Sequence, residues 1–264
     1  MDVLIIGGGG REHAIALKIK KSAAVQDIYV APGNGGTSSV GINLDIKEDD
    51  IQSLLKFALE NDIGLTVVGP EVPLSLGIVD TFKKNDLRIF GPTKQAAKIE
   101  SSKSFSKNLM LRHHVSTAKF ATFKDPSDAL EYISTQEYPI VVKADGLAAG
   151  KGVYICENFP EASKAVDDLL VKKMFGTSGK TIVVEEFLEG WEVSVFTFTD
   201  GITFSSPIGA CDHKRIGEGN TGPNTGGMGA YSPPKKWTPS LIEKINREII
   251  SPIICGMLDE GNPY

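Results

Sequence analysis

Cysteine is scarce in this chain: three in 264 residues, Cys156, Cys211 and Cys255, far apart and in no C-x-x-C pair. That excludes a disulfide framework and the spacing of a zinc site, and it fits a reducing compartment. No apolar run approaches the roughly 20 residues needed to cross a membrane. Met1-Asp2 is followed by four apolar residues and then glycines, so no secretory signal is expected. Charge of one sign is also lacking: 28 Lys and Arg stand against 33 Asp and Glu, and a net charge of −5 gives no basic footprint for nucleic acid. There is no internal repeat and no low-complexity tract. What remains, 41% hydrophobic and 23% charged residues, is the balance of a soluble globular protein of one large or two ordinary domains. The expectation is a cytoplasmic enzyme acting on small molecules, with no nucleic-acid or membrane partner.

Glycine, by contrast, is abundant, and its densest use falls in Ile140 to Val153, IVVKADGLAAGKGV. An apolar run ends on Lys143 and passes into Asp145 to Gly152, where three glycines and two alanines leave the backbone nearly bare. Such a chain can approach a polyphosphate closely and aim N–H groups at its oxygens. Lys143 and Lys151 flank it with compact positive charge. It is not a P-loop, because Gly146 to Gly150 is one residue too short and Gly152 stands where a metal-binding hydroxyl belongs. A second apolar run, Val153 to Cys156, makes this a strand–loop–strand unit. Two readings fit this stretch alone: a nucleotide lid of the ATP-grasp kind, and an ordinary glycine-rich hairpin.

The chain opens as an α/β alternation. Val3 to Ile6 is a strand, Gly7 to Gly10 a turn, and Arg11 to Ser22 a helix whose free N–H groups suit an anion. The third glycine of a dinucleotide fingerprint falls on Glu12 or His13, and the strand Asp27 to Val30 carries no acid at its end. A doubly wound sheet that binds a monophosphate is expected, not a nicotinamide site. Asp49 to Asn61 and Ser75 to Asn85 read as helices, Leu65 to Val68 and Arg88 to Phe90 as strands, and Gly69 to Leu74 as a loop. Open parallel sheets bind ligands beyond the carboxyl ends of their strands, so the loops around Gly8, Asn34 and Glu71 are expected to converge.

Lys94 to His114 reads as a polar helix with a domain boundary near Ser101, giving domains 1–101 and 102–264. Within the second, about 120–190 is expected as a lid subdomain and 191–264 as the first part of a central one. Helices are expected over Pro126 to Thr135, Phe159 to Phe175 and Ser240 to Leu258. Thr181 to Leu188 is a strand ending in carboxylates, and after a turn Val193 to Phe198 resumes as another. An adenine ring needs an apolar slot edged by backbone groups, and a ribose needs a carboxylate. Glu185 and Glu192, seven residues apart across a bend, offer both; a half-exposed hairpin with a charged edge fits the same residues. Asp212 to Pro234 places Asp212-His213-Lys214-Arg215 before a long glycine-rich loop, expected to hold a polar ligand through its backbone.

The strings GGGGREHA, APGNGGT, VGPEVPL, IFGPT, KADGLAAGKGV, VEEFLEG and DHKRIGEGNTGPNTGGMGAYSP, in this order, closely resemble the glycinamide ribonucleotide synthetase (phosphoribosylamine–glycine ligase) family. The resemblance implies a doubly wound parallel-sheet N-terminal domain followed by an incomplete ATP-grasp α+β domain. It implies ligation of glycine to 5-phosphoribosylamine with ATP and Mg2+ or Mn2+, in a monomer or weak dimer. Lys103 and Lys143 would contact ATP phosphates, with Asp145, Gly146, Gly150, Lys151 and Gly152 in a mobile lid. Glu185, with Glu186, Phe187 and Leu188, would face adenine, and Glu192 the ribose. Gly8, Gly9, Gly10, Asn34, Gly69, Pro70 and Glu71 would hold phosphoribosylamine. Asp212, Lys214 and Arg215 are the catalytic candidates. Asn220, Thr221, Gly222, Pro223, Asn224, Thr225, Gly226, Gly227 and Met228 would lie where the substrates meet. The family's metal-holding Glu and Asn are absent, so metal ligands are expected beyond Tyr264, and residues 1 to 264 alone are expected not to form product. The rivals are another ATP-grasp carboxylate–amine ligase and a nucleotide-binding remnant without turnover.

Overall fold

The computed structural model describes residues 1–148, 151–219 and 221–264. The chain divides into two compact units, residues 1–102 with Tyr264 and residues 103–263.

In the first unit β1 (Val3–Gly7) leads into α1 (Gly10–Ile19), then β2 (Ile28–Pro32), β3 (Ile42–Asn43), α2 (Ile51–Glu60) and β4 (Leu65–Val68). After these come α3 (Glu71–Leu76), α4 (Ile78–Lys83), β5 (Ile89–Phe90) and α5 (Lys98–Ser101). The strands form one parallel sheet in the order β3-β2-β1-β4-β5. Strand β1 is buried along its whole length because it feeds two cores. Leu4 and Ile6 pack with α2 and α4 residues such as Leu54 and Phe82, while Val3 and Ile5 pack with Ala16 of α1. That is why it reads as a continuous apolar run. The order reverses between β1 and β4, the switch point where doubly wound sheets open a ligand crevice.

Two sequence expectations change here. Glu71 to Leu74 is not loop but the first turn of α3, and the helix expected over Ser75 to Asn85 is split. Gly77 sits at φ +96°, a left-handed conformation that ends α3 and starts α4. The polar helix expected over Lys94 to His114 also breaks, at Ser102, whose φ of −142° and ψ of 110° are extended.

The second unit starts with α6 (Lys103–Arg112), β6 (Phe120–Phe123), α7 (Pro126–Ser134), β7 (Ile140–Ala144), β8 (Val153–Cys156), α8 (Phe159–Val166) and β9 (Ile182–Glu186). Asp125 caps α7 and Asn158 caps α8, each accepting first-turn N–H groups. Past α8 a wider turn, Asp167–Val171, ends the helix before Phe175, because Lys173 is left-handed at φ +52°. The four strands form an antiparallel sheet in the order β6-β9-β7-β8. Strand alternation sorts its faces. Ile140, Val142, Ala144, Ile182 and Val184 join Ile133 of α7 and Val166 of α8 in the core. Val141, Lys143, Val183 and Glu185 therefore line the opposite face, with Val153 and Ile155 of edge strand β8 beside them.

The chain continues through β10 (Ser194–Phe196), β11 (Ile208–Asp212), β12 (Arg215–Gly217), β13 (Thr221–Asn224) and β14 (Ala230–Tyr231). It ends in α9 (Pro239–Ile245) and α10 (Ser251–Asp259), joined by a wide turn at Asn246–Ile250. Pro252 supplies no N–H to the carbonyl four residues back, which accounts for the widening just before it. Within Asp212 to Pro234, part of the stretch expected as a glycine-rich loop is strand. β12 and β13 pair as a hairpin, and β14 returns to pair with β11.

Candidate functional site

Glu185 is the centre of the second unit's polar face. Its carboxylate is 6% exposed, and Oε2 lies 2.8 Å from Lys143 Nζ and 3.2 Å from Lys107 Nζ. Lys143 reaches it diagonally, since its register partner on β9 is Val183. Lys107 comes from α6, where it also donates to Thr117 Oγ1 at 2.8 Å and lies 5.6 Å from the centre of the Phe120 ring. Val153 and Ile155, each 43% exposed, add open apolar surface to the same face. Beyond the strand end, Leu188 is 63% exposed, and among the described residues its peptide N–H and C=O have no partner. Glu186 points elsewhere, accepting the N–H of Lys119 at 2.8 Å, while Phe187 is partly exposed.

The glycine segment after β7 is anchored at its start. Gly146 N–H donates to Ser178 O at 3.1 Å, Ser178 Oγ donates to Leu147 O at 2.7 Å, and Lys103 Nζ donates to Gly146 O at 3.2 Å. A Cβ on Gly146 would stand 2.8 Å from Ser178 Cα, so glycine is required for this contact. At Gly146 and Leu147, the start of the segment expected as a mobile lid, backbone groups carry these contacts. Asp145, expected to bind ATP, also has a structural role. Its Oδ1 accepts the Ser104 N–H at 2.6 Å and its C=O accepts the Lys103 N–H at 3.1 Å, so it caps α6. Lys151 is exposed and Gly152 buried. Gly150 and Asn220 lie outside the described residues, as does the side chain of Asn224.

A second polar group forms where β11 ends. Lys214 pairs with Glu192 and stands 4.0 Å from Asp212 Oδ1. The hydrogen bond from Lys214 to Glu192 raises the lysine's pKa, and Asp212 adds to the effect. Arg215 donates to Gly222 O at 2.6 Å. Thr225 N–H donates to Lys214 O and Met228 N–H to His213 O, at 2.6 and 2.8 Å. These donors have internal partners, while Thr221, Gly222, Pro223, Gly226 and Gly227, expected to line the substrate site, lie in and around the same return. A cavity of about 320 Å³ opens there, lined by His213, Arg215, Glu218 and Met228 among others.

In the first unit the structure brings together the loops expected to converge. Asn34 Nδ2 donates to Gly8 O at 2.9 Å and Gly9 O at 3.3 Å, while its Oδ1 accepts from Gly36 and Thr37 N–H. Arg11 lies 3.8 Å from Glu71, at the start of α3 after Gly69 and Pro70. At the start of α1, expected as an anion site, the Gly9 N–H already has an internal acceptor. Glu12, 3% exposed, accepts the Gly9 N–H at 2.7 Å and contacts Arg11 Nε at 3.0 Å. Only glycine fits at Gly7 and Gly69, where a Cβ would collide with the Glu12 side chain. Burial, then the charges of Glu12, Asp49 and Glu71, push the Glu48 carboxyl up, with Arg11 opposing.

Sequence reasoning missed Lys107, Thr117, Ser178 and the inward role of Glu12. The available signals were Lys107 one turn after Lys103 on a helix, and a Glu at the third position of α1 that could reach back to its cap.

Comparison with known proteins agrees with these two units. The family description "Phosphoribosylglycinamide synthetase, N domain" matches residues 1–100, and "Phosphoribosylglycinamide synthetase, ATP-grasp (A) domain" matches residues 101–264. A phosphoribosylamine–glycine ligase of Vibrio vulnificus is 50% identical over the whole chain, which spans 62% of that relative. The crystal structure of phosphoribosylamine–glycine ligase from Thermotoga maritima superposes with a TM-score of 0.84 at 31% identity, covering 100% of this chain and 63% of that one. The biotin carboxylase domain of Hydrogenobacter thermophilus 2-oxoglutarate carboxylase, solved with MgADP, shares the fold with a TM-score of 0.72 at 16% identity over 99% of this chain and 58% of its own. The chain therefore spans just over three-fifths of the length of the curated relatives it matches. The chain belongs to the phosphoribosylglycinamide synthetase family and carries its N domain and ATP-grasp (A) domain.

Proposed function

We propose that this chain supplies the nucleotide- and substrate-binding parts of a cytoplasmic ligase that joins glycine to 5-phosphoribosylamine. The products are glycinamide ribonucleotide, ADP and phosphate, within de novo purine synthesis. The observation that carries this reading is the Lys143–Glu185 pair on an open apolar sheet face, beside the unpaired strand end at Leu188. Adenine would lie against Val153 and Ile155, with its exocyclic amine on Glu185 and its ring edge on the Leu188 backbone. Glu192 would take the ribose hydroxyls, and Lys143 and Lys103 would turn to the phosphates. Each step exchanges an internal partner for one on ATP: the lysines gain phosphates, and the carboxylates gain neutral hydrogen-bond donors. Asp145 serves indirectly, by capping the helix that bears Lys103 and Lys107.

In the reaction a glycine carboxylate oxygen attacks the γ-phosphorus of ATP and ADP leaves, giving glycyl phosphate. The amine nitrogen of 5-phosphoribosylamine then attacks the carbonyl carbon, phosphate leaves, and the nitrogen loses a proton. Lys214, freed from Glu192, and Arg215 neutralise charge developing on the transferred group, while Asp212 orients Lys214. In the first unit Gly8 to Gly10, Asn34, Gly69, Pro70 and Glu71 would form the phosphoribosylamine pocket. The half-exposed Glu71 is suited to hydroxyls or an amine, and the buried Glu12 disfavours phosphate at the start of α1. Mg2+ or Mn2+ is implied by the family resemblance. Among the described residues no group of three or more His, Cys, Asp or Glu is placed to hold a metal ion. No helix among them is long and apolar enough to cross a membrane. Partners are small molecules, and a monomer or weak dimer is proposed.

The test is ADP release by the protein carrying this sequence at its full length. Release that requires both glycine and 5-phosphoribosylamine supports the reading. Release that depends on a different carboxylic acid overturns the glycine assignment, and calorimetry showing no ATP binding removes the nucleotide site.

A further inference from the structure

Lys107 belongs to no glycine motif, yet its side chain is only 12% exposed and its ammonium is committed three ways. It lies 3.2 Å from Glu185 Oε2, donates to Thr117 Oγ1 at 2.8 Å and sits 5.6 Å from the centre of the Phe120 ring. Lys143 uses the same carboxylate oxygen, Oε2. Among the described residues Oε1 receives no hydrogen bond. The two lysines thus pin one oxygen and leave the other as the acceptor for whatever meets this face.

The lysines differ in what they can do next. Lys143 is anchored only through Glu185 among the described residues, so it can turn away to a phosphate. Lys107 is held by Thr117 and Phe120 as well, and it stays. Without it, a carboxylate that is 6% exposed would keep Lys143 as its sole counter-charge and compete with the nucleotide for it. We infer that Lys107 is the positioning residue that sets nucleobase specificity, holding the Glu185 side chain with Oε1 free to accept from an exocyclic amine. This rests on the ATP reading proposed above. A purine bearing an amine at C6 donates to Oε1. A purine bearing a carbonyl there sets oxygen against oxygen and leaves the buried acceptor unpaired, which is the kind of mismatch that binding sites reject strongly.

The experiment is calorimetric titration of the 264-residue chain with ATP and with GTP, as wild type, Lys107→Met, Lys107→Arg and Thr117→Val. The wild type is expected to prefer ATP by about a hundredfold or more. In Lys107→Met, ATP affinity should fall about tenfold with GTP affinity little changed, so the preference shrinks about tenfold. Lys107→Arg should restore most of it, and Thr117→Val, which keeps the charge but loosens its anchor, should move the ratio in the same direction as Lys107→Met by less. Equal loss for both nucleotides, or an unchanged ratio in both Lys107→Met and Thr117→Val, would overturn the proposal. If Lys107→Met does not fold, the Thr117→Val ratio decides alone. A wild type that binds neither nucleotide removes the ATP reading itself, whereas a wild-type ratio retained in the variants removes only the role of Lys107.

Discussion

Replacing Lys143 with methionine keeps most of the side-chain volume and deletes an ammonium 2.8 Å from Glu185 Oε2. Glu185 is 6% exposed, so its carboxylate cannot rehydrate in place. It is not orphaned, because Lys107 remains 3.2 Å from the same oxygen. The cost should therefore fall below the roughly 3–5 kcal/mol of breaking an isolated buried pair. The partial exposure of Lys143 lowers it further, and a loss of about 1–2 kcal/mol is expected. Lys107→Met should cost a similar amount, for the same reason. The double variant strips Glu185 of both cations, and its loss should exceed the sum of the single losses by about 1–2 kcal/mol. The assay is urea unfolding of the four proteins at pH 7, compared through midpoints at a common slope. Adding Glu185→Gln to the double variant should recover stability, since a neutral amide leaves no charge buried. Additivity within about 0.5 kcal/mol, with no recovery from the amide, would refute the shared-carboxylate argument. The same Lys143→Met protein should bind ATP about 10- to 150-fold more weakly, the equivalent of roughly 1.5–3 kcal/mol for a charge-assisted contact.

Three further outcomes are expected. Glu12→Ala should destabilise the first unit by about 2 kcal/mol, because the Gly9 N–H loses its acceptor at the start of α1, and urea unfolding that matches wild type would contradict this. Arg112, hydrogen-bonded at 2.8 Å, and then His113 hold the Glu260 carboxyl below its ordinary range. Because the folded pKa is depressed, this contact's stability is fully present above about pH 4.5 and is lost as pH falls through the lower folded value, so Glu260→Gln should flatten the acid limb of a stability–pH curve. Burial pushes the Cys156 thiol up to about 11, while Cys255 is exposed, so a thiol reagent at pH 8 should modify Cys255 first and reach Cys156 only on unfolding, as peptide mapping would show.

Much of the fold was legible because its signals are local. Strands β1, β4, β7 and β9 are apolar runs bounded by glycine or charge. The helix ends were less legible. The start of α6 is capped by Asp145, 41 residues beyond the Ser104 N–H it accepts, and no local pattern announces a cap supplied from so far along the chain. The split at Gly77 depends on a left-handed conformation that glycine permits but does not require. The hairpin at β12 and β13 was read as loop because its pairing is short and its glycines resemble linker composition.

The sequence by itself determined the chemistry on offer: Lys143 and Glu185 at strand ends, Glu192 past a bend, Lys214 and Arg215 before a glycine-rich return, and glycines where backbone must approach closely. Periodicity says which face a side chain takes, but not which neighbour waits there. Only the tertiary structure decided that Lys107 meets Glu185, that Glu192 is held by Lys214, that Ser178 fastens the start of the glycine segment, and that Glu12 turns inward beneath Gly7 and Gly69. Each of these joins groups distant in the chain or packed too closely for any residue but glycine, and each pairing exists because a charge or donor taken out of water must find a partner where the fold places it.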